Sequence, residues 1–220
     1  MSEDKSLNKT IEQLRRDYAG EELREDQMKD DPIDQFAIWF EQAMKADVAD
    51  VNAMTLATAS ADGKPSSRIV LLKGFNGEGF RFFTNYQSRK GREIAENPNV
   101  QLCFYWAELE RQVRIEGQAE TISREESQRY FNERPRQSQI SAWASNQSEA
   151  VSSRDKLEEA YRRYEQKFEN EKSIPVPDFW GGYIVEARAI EFWQGRPGRL
   201  HDRILYERDR DGWNKLRLAP

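Results

Sequence analysis

Apolar and polar positions change their spacing twice along this chain. Through residue 30 charged side chains dominate, and only Ile11, Leu14 and Tyr18 recur at i, i+3 and i+7, enough for a short amphipathic helix. Asp31-Pro32 marks a helix start, with Asp as the cap and Pro at the first helical position. Ile33, Phe36, Ala37, Phe40 and Met44 continue it as a helical stripe. From residue 51 the period becomes that of strands. Strands are predicted at 53–59, 67–75 and 79–84, with Asp62-Gly63 and Asn76-Gly77 as turns. Residues 88–97 read as a short helix stopped by Pro98, followed by strands at 100–106 and 112–121. Ser123 and Glu126 form a capping box for a helix through 133, which Pro135 breaks. A helix over 138–144 and a long charged one over 153–170, with Leu157, Tyr161, Tyr164 and Phe168 on one face, precede three strands near 182–194, 202–208 and 212–218. Many short, mostly antiparallel strands flanked by helices predict a β-barrel of α+β class.

Composition narrows the function. At 220 residues the chain can bury a full core without disulfides or metal. A charged fraction of 33% predicts that part of it is solvated helix or mobile terminus. A net charge of -5 argues against nucleic acid as the main partner, although a local arginine cluster can still dominate its own pocket. With one cysteine, Cys103, and one histidine, a protein-built zinc site is not expected, and no metal is assigned. No apolar stretch reaches the ~18 residues of a membrane span and no signal-peptide core opens the chain, so a soluble, cytoplasmic protein is expected.

The candidate chemistry sits where strands and helices meet. Arg68 and Lys73 flank the apolar run Ile69, Val70, Leu71 and Leu72. A regular strand turns residues five apart to opposite faces, so the two cations either hold two anions or mark two wet ends. After Phe83-Thr84-Asn85, Ser88, Arg89 and Lys90 open a helix. Free backbone N–H groups and two cations there suit a phosphate. The same cations oppose the helix dipole until an anion binds, a local conflict of the kind found at functional sites. Tyr130 and Arg134, spaced i, i+4 on one helical face, with Ser138 after Pro135, could close around a second phosphate. Spacing alone favours a surface helix with an incidental Tyr/Arg pair. Gln112 opens a strand and Gln147-Ser148 lie in a polar loop, where amides can read the heteroatom edge of a flat ring. Near the C-terminus Trp193 is followed by Arg199-Leu200-His201-Asp202-Arg203, which sets the only histidine between two arginines. Guanidinium forks and an indole face suit an anionic, planar ligand, and a solvated turn is the alternative.

These pieces occur in a specific order: Arg68-Ile-Val-Leu-Leu-Lys73, Phe83-Thr-Asn85, Ser88-Arg-Lys90, Leu109-Glu-Arg-Gln-Val113, Tyr130-Phe131, Arg134-Pro-Arg136, Ser138-Gln-Ile140, Gln147-Ser148, Phe179-Trp-Gly-Gly182, Glu191-Phe-Trp-Gln-Gly195 and Arg199-Leu-His-Asp-Arg203. From about Leu14 to Pro220 the chain resembles the pyridoxamine (pyridoxine) 5′-phosphate oxidases. The resemblance implies an α+β antiparallel split β-barrel that binds FMN, with flanking helices, assembled as a homodimer with flavin sites at the subunit interface. It implies FMN-dependent oxidation of pyridoxamine or pyridoxine 5′-phosphate by O₂ to pyridoxal 5′-phosphate, with H₂O₂ released, and ammonia from the amine. By that similarity Arg68, Ile69, Val70, Leu71, Leu72, Lys73, Phe83, Thr84, Arg89, Lys90, Gln112, Gln147, Ser148, Trp193 and Arg203 contact FMN. Lys73, Tyr130, Arg134 and Ser138 hold the substrate phosphate. Arg199, Leu200 and His201 face the substrate ring, with Arg199 and His201 as the catalytic pair. Arg15, Arg16, Asp17 and Tyr18 close over the site as a lid within a mobile segment 1–30, and residues 31–220 form the oxidase domain. Two other readings compete. A split-barrel flavin reductase should not need Tyr130, Arg134 and Ser138 together. A non-catalytic flavin- or haem-binding protein should not need Arg199 and His201.

Overall fold

The computed structural model describes residues 11, 13, 14 and 17–220. Its first long helix, α1 (Pro32–Lys45), begins as the sequence predicts: Asp31 Oδ1 accepts from Ile33 N at 2.7 Å, and Pro32 occupies the first turn. The buried face is turned slightly from the expected stripe. Phe36, Trp39 and Ala43 point into the core, while Met44 is exposed.

Among the described residues nine strands form one antiparallel sheet: β1 (Ala53–Ala59), β2 (Pro65–Leu71), β3 (Gly74–Asn76), β4 (Gly79–Asn85), β5 (Asn99–Trp106), β6 (Arg111–Thr121), β7 (Trp180–Gln194), β8 (Asp202–Arg208) and β9 (Trp213–Arg217). Their order is β2-β1-β5-β6-β7-β4-β3. The fifteen-residue β7 pairs with β4 through its first half and with β8 through its second, and β9 adds to β8. The two ends of this path, β2 and β3, are consecutive in the chain, with only Leu72 and Lys73 between them. Such a short link forces the sheet to curl until its ends meet. The result is a split barrel of α+β class, with β2 lying against β4 without pairing to it.

The single strand expected at 67–75 is therefore two. Leu72 N bonds to Asn52 O at 2.8 Å on one side of the seam, and Lys73 N bonds to Arg81 O at 2.8 Å on the other. The chain changes partner between these residues, which breaks the strict alternation of sides. Leu72 turns into the core.

Alternation elsewhere sorts side chains cleanly. On β1, Met54 and Leu56 are fully buried, as are Leu102 and Phe104 on β5 and Val113 and Ile115 on β6. Phe36 packs against Phe75, Phe80 and Phe104 with ring centroids 4.9–5.2 Å apart. A second, smaller core of Phe131, Ile140, Phe168, Ile174, Val176 and Trp180 lies under α3 (Arg124–Glu133), α4 (Arg136–Ala144) and α5 (Arg154–Lys167). The short α2 (Arg89–Glu96) stands beside β1.

Part of the N-terminal segment is strapped to the turn before β6 and to β8. Ala19 N and Gly20 N donate to Glu110 Oε2 at 2.8 and 2.9 Å, Leu23 N donates to Asp202 Oδ2 at 3.0 Å, and Met28 is buried. Among the described residues no helix is long and apolar enough to cross a membrane.

Candidate active site

The seam between β2 and β4 opens into a cleft of about 1120 Å³. It is lined by Arg68, Ile69, Val70, Leu71, Lys73, Phe83, Thr84, Arg89, Lys90, Tyr130, Arg134, Ser138, Gln147 and Ser148, all of them residues the sequence singled out. Arg68 and Lys73, expected on opposite faces, both line it because the strand breaks between them.

One end of the cleft is built on the start of α2. Ser88 caps the helix, accepting from Gly91 N at 3.3 Å, and no acidic residue occupies the first turn. A side chain at Gly91 would place its Cβ 2.1 Å from Tyr86 O, so the helix could not sit this close to β4 with a larger residue. Lys90 is buried, and its ammonium donates to Gln147 Oε1 at 2.9 Å and Thr84 Oγ1 at 3.1 Å, both neutral. Burial, and then the nearby charge of Arg68, push its pKa down to about 8. Glu93 accepts from Arg89 Nε at 2.8 Å and lies 3.3 Å from Arg68 Nη2.

Helices α3 and α4 form the other end. The Tyr130 ring stacks on Phe83 with centroids 3.9 Å apart, and the Arg134 guanidinium lies 4.8 Å over the Trp180 ring. Arg134 Nη1 is buried with no hydrogen-bond partner among the described residues. Burial lowers the pKa of this guanidinium, and Tyr130 opposes that shift. A donor left in this state is costly unless a ligand meets it. The i, i+4 spacing predicts one helical face for Tyr130 and Arg134, and the structure does not bear this out. The helix ends at Glu133, and Arg134 is extended at φ -70°, ψ 148°. Proline at 135 disfavours helical geometry in the residue before it, which turns Arg134 out of the helix line.

Between the two ends, Ser148 holds a left-handed φ of 76°, unusual for a residue other than glycine. The sequence reading missed Ser66, Asn85 and Trp180 in the lining. Ser66 shares a strand face with Arg68, and period-2 spacing was the signal that could have found it.

The remaining candidates lie outside the cleft of the same chain. Gln112 pairs in register with Trp193, and Trp193 with Arg203, so the three form a row across β6, β7 and β8 on the outer face of the sheet. Arg203 is held by Glu191 at 2.9 and 3.1 Å. Tyr18 meets Trp193 and His201 edge-on at 5.6 and 5.2 Å, and Trp193 lies 4.8 Å from His201. His201 Nδ1 accepts from Arg196 N at 3.1 Å, which leaves the proton of the neutral ring on Nε2. Arg199 and His201 are not on one strand. Arg199 ends a short turn after Pro197-Gly198 with a left-handed φ of 61°, and His201 precedes β8. Arg199 and Leu200 are exposed, as is Asp17. Leu72, buried at 5% exposure, faces the core and does not line the cleft. Arg15 and Arg16 lie outside the described residues.

Comparison with known proteins matches this geometry to a family. Residues 40–168 match the family model described as pyridoxamine 5′-phosphate oxidase, and residues 180–220 match that of the pyridoxine 5′-phosphate oxidase C-terminal dimerisation region. The pyridoxine/pyridoxamine 5′-phosphate oxidase of Rubrobacter xylanophilus is 56% identical over 207 residues, 94% of this chain and 95% of that one. A crystal structure of PhzG from Burkholderia lata 383, in complex with tetrahydrophenazine-1-carboxylic acid, superposes with a TM-score of 0.85 at 31% identity, covering 91% of this chain and 99% of that one. A pyridoxamine 5′-phosphate oxidase-related, FMN-binding protein from Nostoc punctiforme shares the fold, with a TM-score of 0.66 at 18% identity over 84% of this chain and 97% of that one.

Proposed function

Because the chain belongs to the pyridoxamine 5′-phosphate oxidase family of oxidoreductases, we propose that it oxidises pyridoxamine or pyridoxine 5′-phosphate to pyridoxal 5′-phosphate, with FMN as cofactor and O₂ as acceptor. The observation that carries this reading is a cleft with two cationic ends, each short of an anion. At one end the buried Lys90 has neutral partners, and at the other Arg134 Nη1 has none. A phosphorylated flavin and a phosphorylated substrate would each satisfy one end, so the residues present fit both groups.

When bound, the flavin supplies a hydride acceptor that O₂ returns to its oxidised form, with H₂O₂ as the by-product. The rest falls to the protein. Arg68, Arg89 and Lys90 hold the flavin phosphate, while Ile69, Val70, Leu71 and Phe83 offer apolar surface to the ring system and Thr84, Gln147 and Ser148 offer polar groups. Leu72 supports this wall from the core side. Lys73, Tyr130, Arg134 and Ser138 take the substrate phosphate, and the Phe83–Tyr130–Trp180 stack sets the floor that orients it. Anchoring both phosphates fixes the angle between two flat rings, and that orientation lowers the barrier to transfer. Pyridoxine phosphate yields the aldehyde directly, and pyridoxamine phosphate yields it after water releases ammonia. The need for Tyr130, Arg134 and Ser138 together favours this chemistry over a flavin reductase.

Gln112, Trp193, Arg203, Arg199, Leu200 and His201 reach a cleft only if a second copy brings them, so the working unit is a twofold homodimer. The match of residues 180–220 to a dimerisation region supports this, as do the exposed apolar side chains of Ile69 and Leu71 beside the cleft. In that unit His201 donates from Nε2 to the substrate ring, while Arg199, which cannot act as a base near neutral pH, stabilises charge and covers the ring. Asp17 and Tyr18 close over it.

Two measurements test the reading. Purified protein should be yellow, release FMN on denaturation and produce H₂O₂ with pyridoxamine 5′-phosphate but poorly with the unphosphorylated vitamin; equal turnover of both would refute the phosphate assignment. Site sharing is checked by co-expressing Arg134→Ala and His201→Ala chains, each impaired alone. Half of randomly formed dimers are mixed and half of their sites are intact, so activity should recover to about a quarter of wild type. No recovery would place both residues in one chain's site.

A further inference from the structure

Behind the Arg68 and Arg89 side chains, at one cationic end of the cleft, lies a carboxylate that the proposed chemistry does not use. Glu93 lies one turn after Arg89 on α2 and is 6% exposed. A negative charge beside a phosphate site opposes the ligand. Its contacts explain its presence. Glu93 Oε2 accepts from Thr58 Oγ1 at 2.5 Å and from Ser66 Oγ at 2.6 Å, and lies 3.3 Å from Arg68 Nη2, while Oε1 accepts from Arg89 Nε at 2.8 Å. One side chain thus ties β1, β2 and α2 together. A carboxylate can only accept, so both hydroxyl protons point at it and both hydroxyls turn lone pairs to Arg68. Arg68 Nη1 donates to Thr58 Oγ1, and Nη2 to Ser66 Oγ, each at 2.5 Å. The direction of every bond in the network follows from one charge. That charge is secure: burial pushes the Glu93 carboxyl up, but hydrogen bonds from Ser66, Thr58 and Arg89 outweigh it and hold the pKa at about 2.

We propose that Glu93 is the positioning residue of the flavin-phosphate site, fixing Arg68 and Arg89 in one geometry, so that preference for FMN over riboflavin depends on a carboxylate that itself repels phosphate. This rests on the FMN reading above. Charge balance agrees with it. Arg68, Arg89 and Lys90 against Glu93 leave two positive charges in excess, which matches a phosphate monoester near neutral pH.

The test compares dissociation constants of FMN and riboflavin, by flavin fluorescence quenching, on full-length protein stripped of flavin. Glu93→Gln keeps the size, removes the charge and leaves only one oxygen to accept, so either the two hydroxyls or Arg89 loses its acceptor. Positioning predicts that FMN binding weakens about 30-fold while riboflavin changes less than about threefold, with part of the FMN preference restored in Glu93→Asp. FMN binding as tight as wild type or tighter would mean that the carboxylate only repels, and equal weakening of both ligands would mean a purely structural role; either overturns the proposal. Should Glu93→Gln fail to fold, Ser66→Ala removes one oriented hydroxyl and keeps the charge. Loss of FMN affinity alone then supports the proposal, and an unchanged ratio overturns it. A wild-type protein with no preference for FMN would instead overturn the cofactor reading.

Discussion

Arg134→Ala is expected to lower kcat/KM for pyridoxamine 5′-phosphate by about 2–4 kcal/mol, roughly 30- to 1000-fold, while changing the already poor turnover of the free vitamin little. The reason lies in what Arg134 does without a ligand. Its guanidinium stacks on Trp180 at 4.8 Å, so the side chain is already ordered, yet Nη1 is buried and unpaired. The cost of burying that donor is carried by the folded protein and recovered only when an anion arrives. Removing the side chain should therefore leave apoprotein stability near wild type, because lost stacking on Trp180 is offset by relief of the orphaned donor. Steady-state kinetics on both vitamers and a melting curve decide it. Unchanged discrimination between phosphorylated and free vitamin would remove Arg134 from the phosphate site.

The second large effect belongs to Lys90 and carries a pH signature. Its ammonium is buried among neutral partners and loses its proton near pH 8, below the usual 10.5 of lysine. A bound phosphate favours the charged form, so FMN binding takes up a proton above that pH. FMN affinity should fall by up to about tenfold per pH unit from about pH 8 upward and change little between about pH 7 and 8, below which the phosphate itself takes up a proton. Lys90→Met should abolish the slope and weaken FMN binding at pH 7 by roughly 2–4 kcal/mol. Stability runs the other way. The folded pKa lies below the unfolded one, so the unfolded chain binds more protons between about 8 and 10.5, and apoprotein stability rises with pH across that window. Below it the lysine costs up to about 3 kcal/mol, which methionine would relieve. Titration of FMN from pH 6.5 to 9.5 with both proteins, beside their melting temperatures, checks each sign. A slope that persists in Lys90→Met would assign the titration to another group.

Much of this site could be read from local sequence, and what could not has identifiable causes. Ser88, Arg89 and Lys90 were legible because a capping residue and misplaced cations are signals contained in three positions. The helix end at Glu133 was legible too, since Pro135 dictates the geometry of Arg134 and overrides the i, i+4 spacing from Tyr130. Pro197-Gly198 likewise signals a turn before Arg199, not a strand. The break at Leu72 was not legible. It depends on which neighbours β2 and β3 find in the sheet, and residues 67–75 read alone as one continuous strand. Nor was the role of Glu93. Its spacing from Arg89 announces an i, i+4 pair, but Thr58 and Ser66 come to it only through the curl of the barrel.

That curl makes the ligands part of the architecture. Where β2 faces β4 the wall has no rungs, so it can part there without breaking a backbone hydrogen bond. A flavin phosphate gripped by Arg68 on the β2 side and by Lys90, itself bonded to Thr84 on β4, on the other would serve as the clasp across that slit. Cofactor retention and the mechanical closure of the cylinder are then one and the same property. Substitutions that loosen the clasp should be felt as a softer barrel even where they touch no residue of the core.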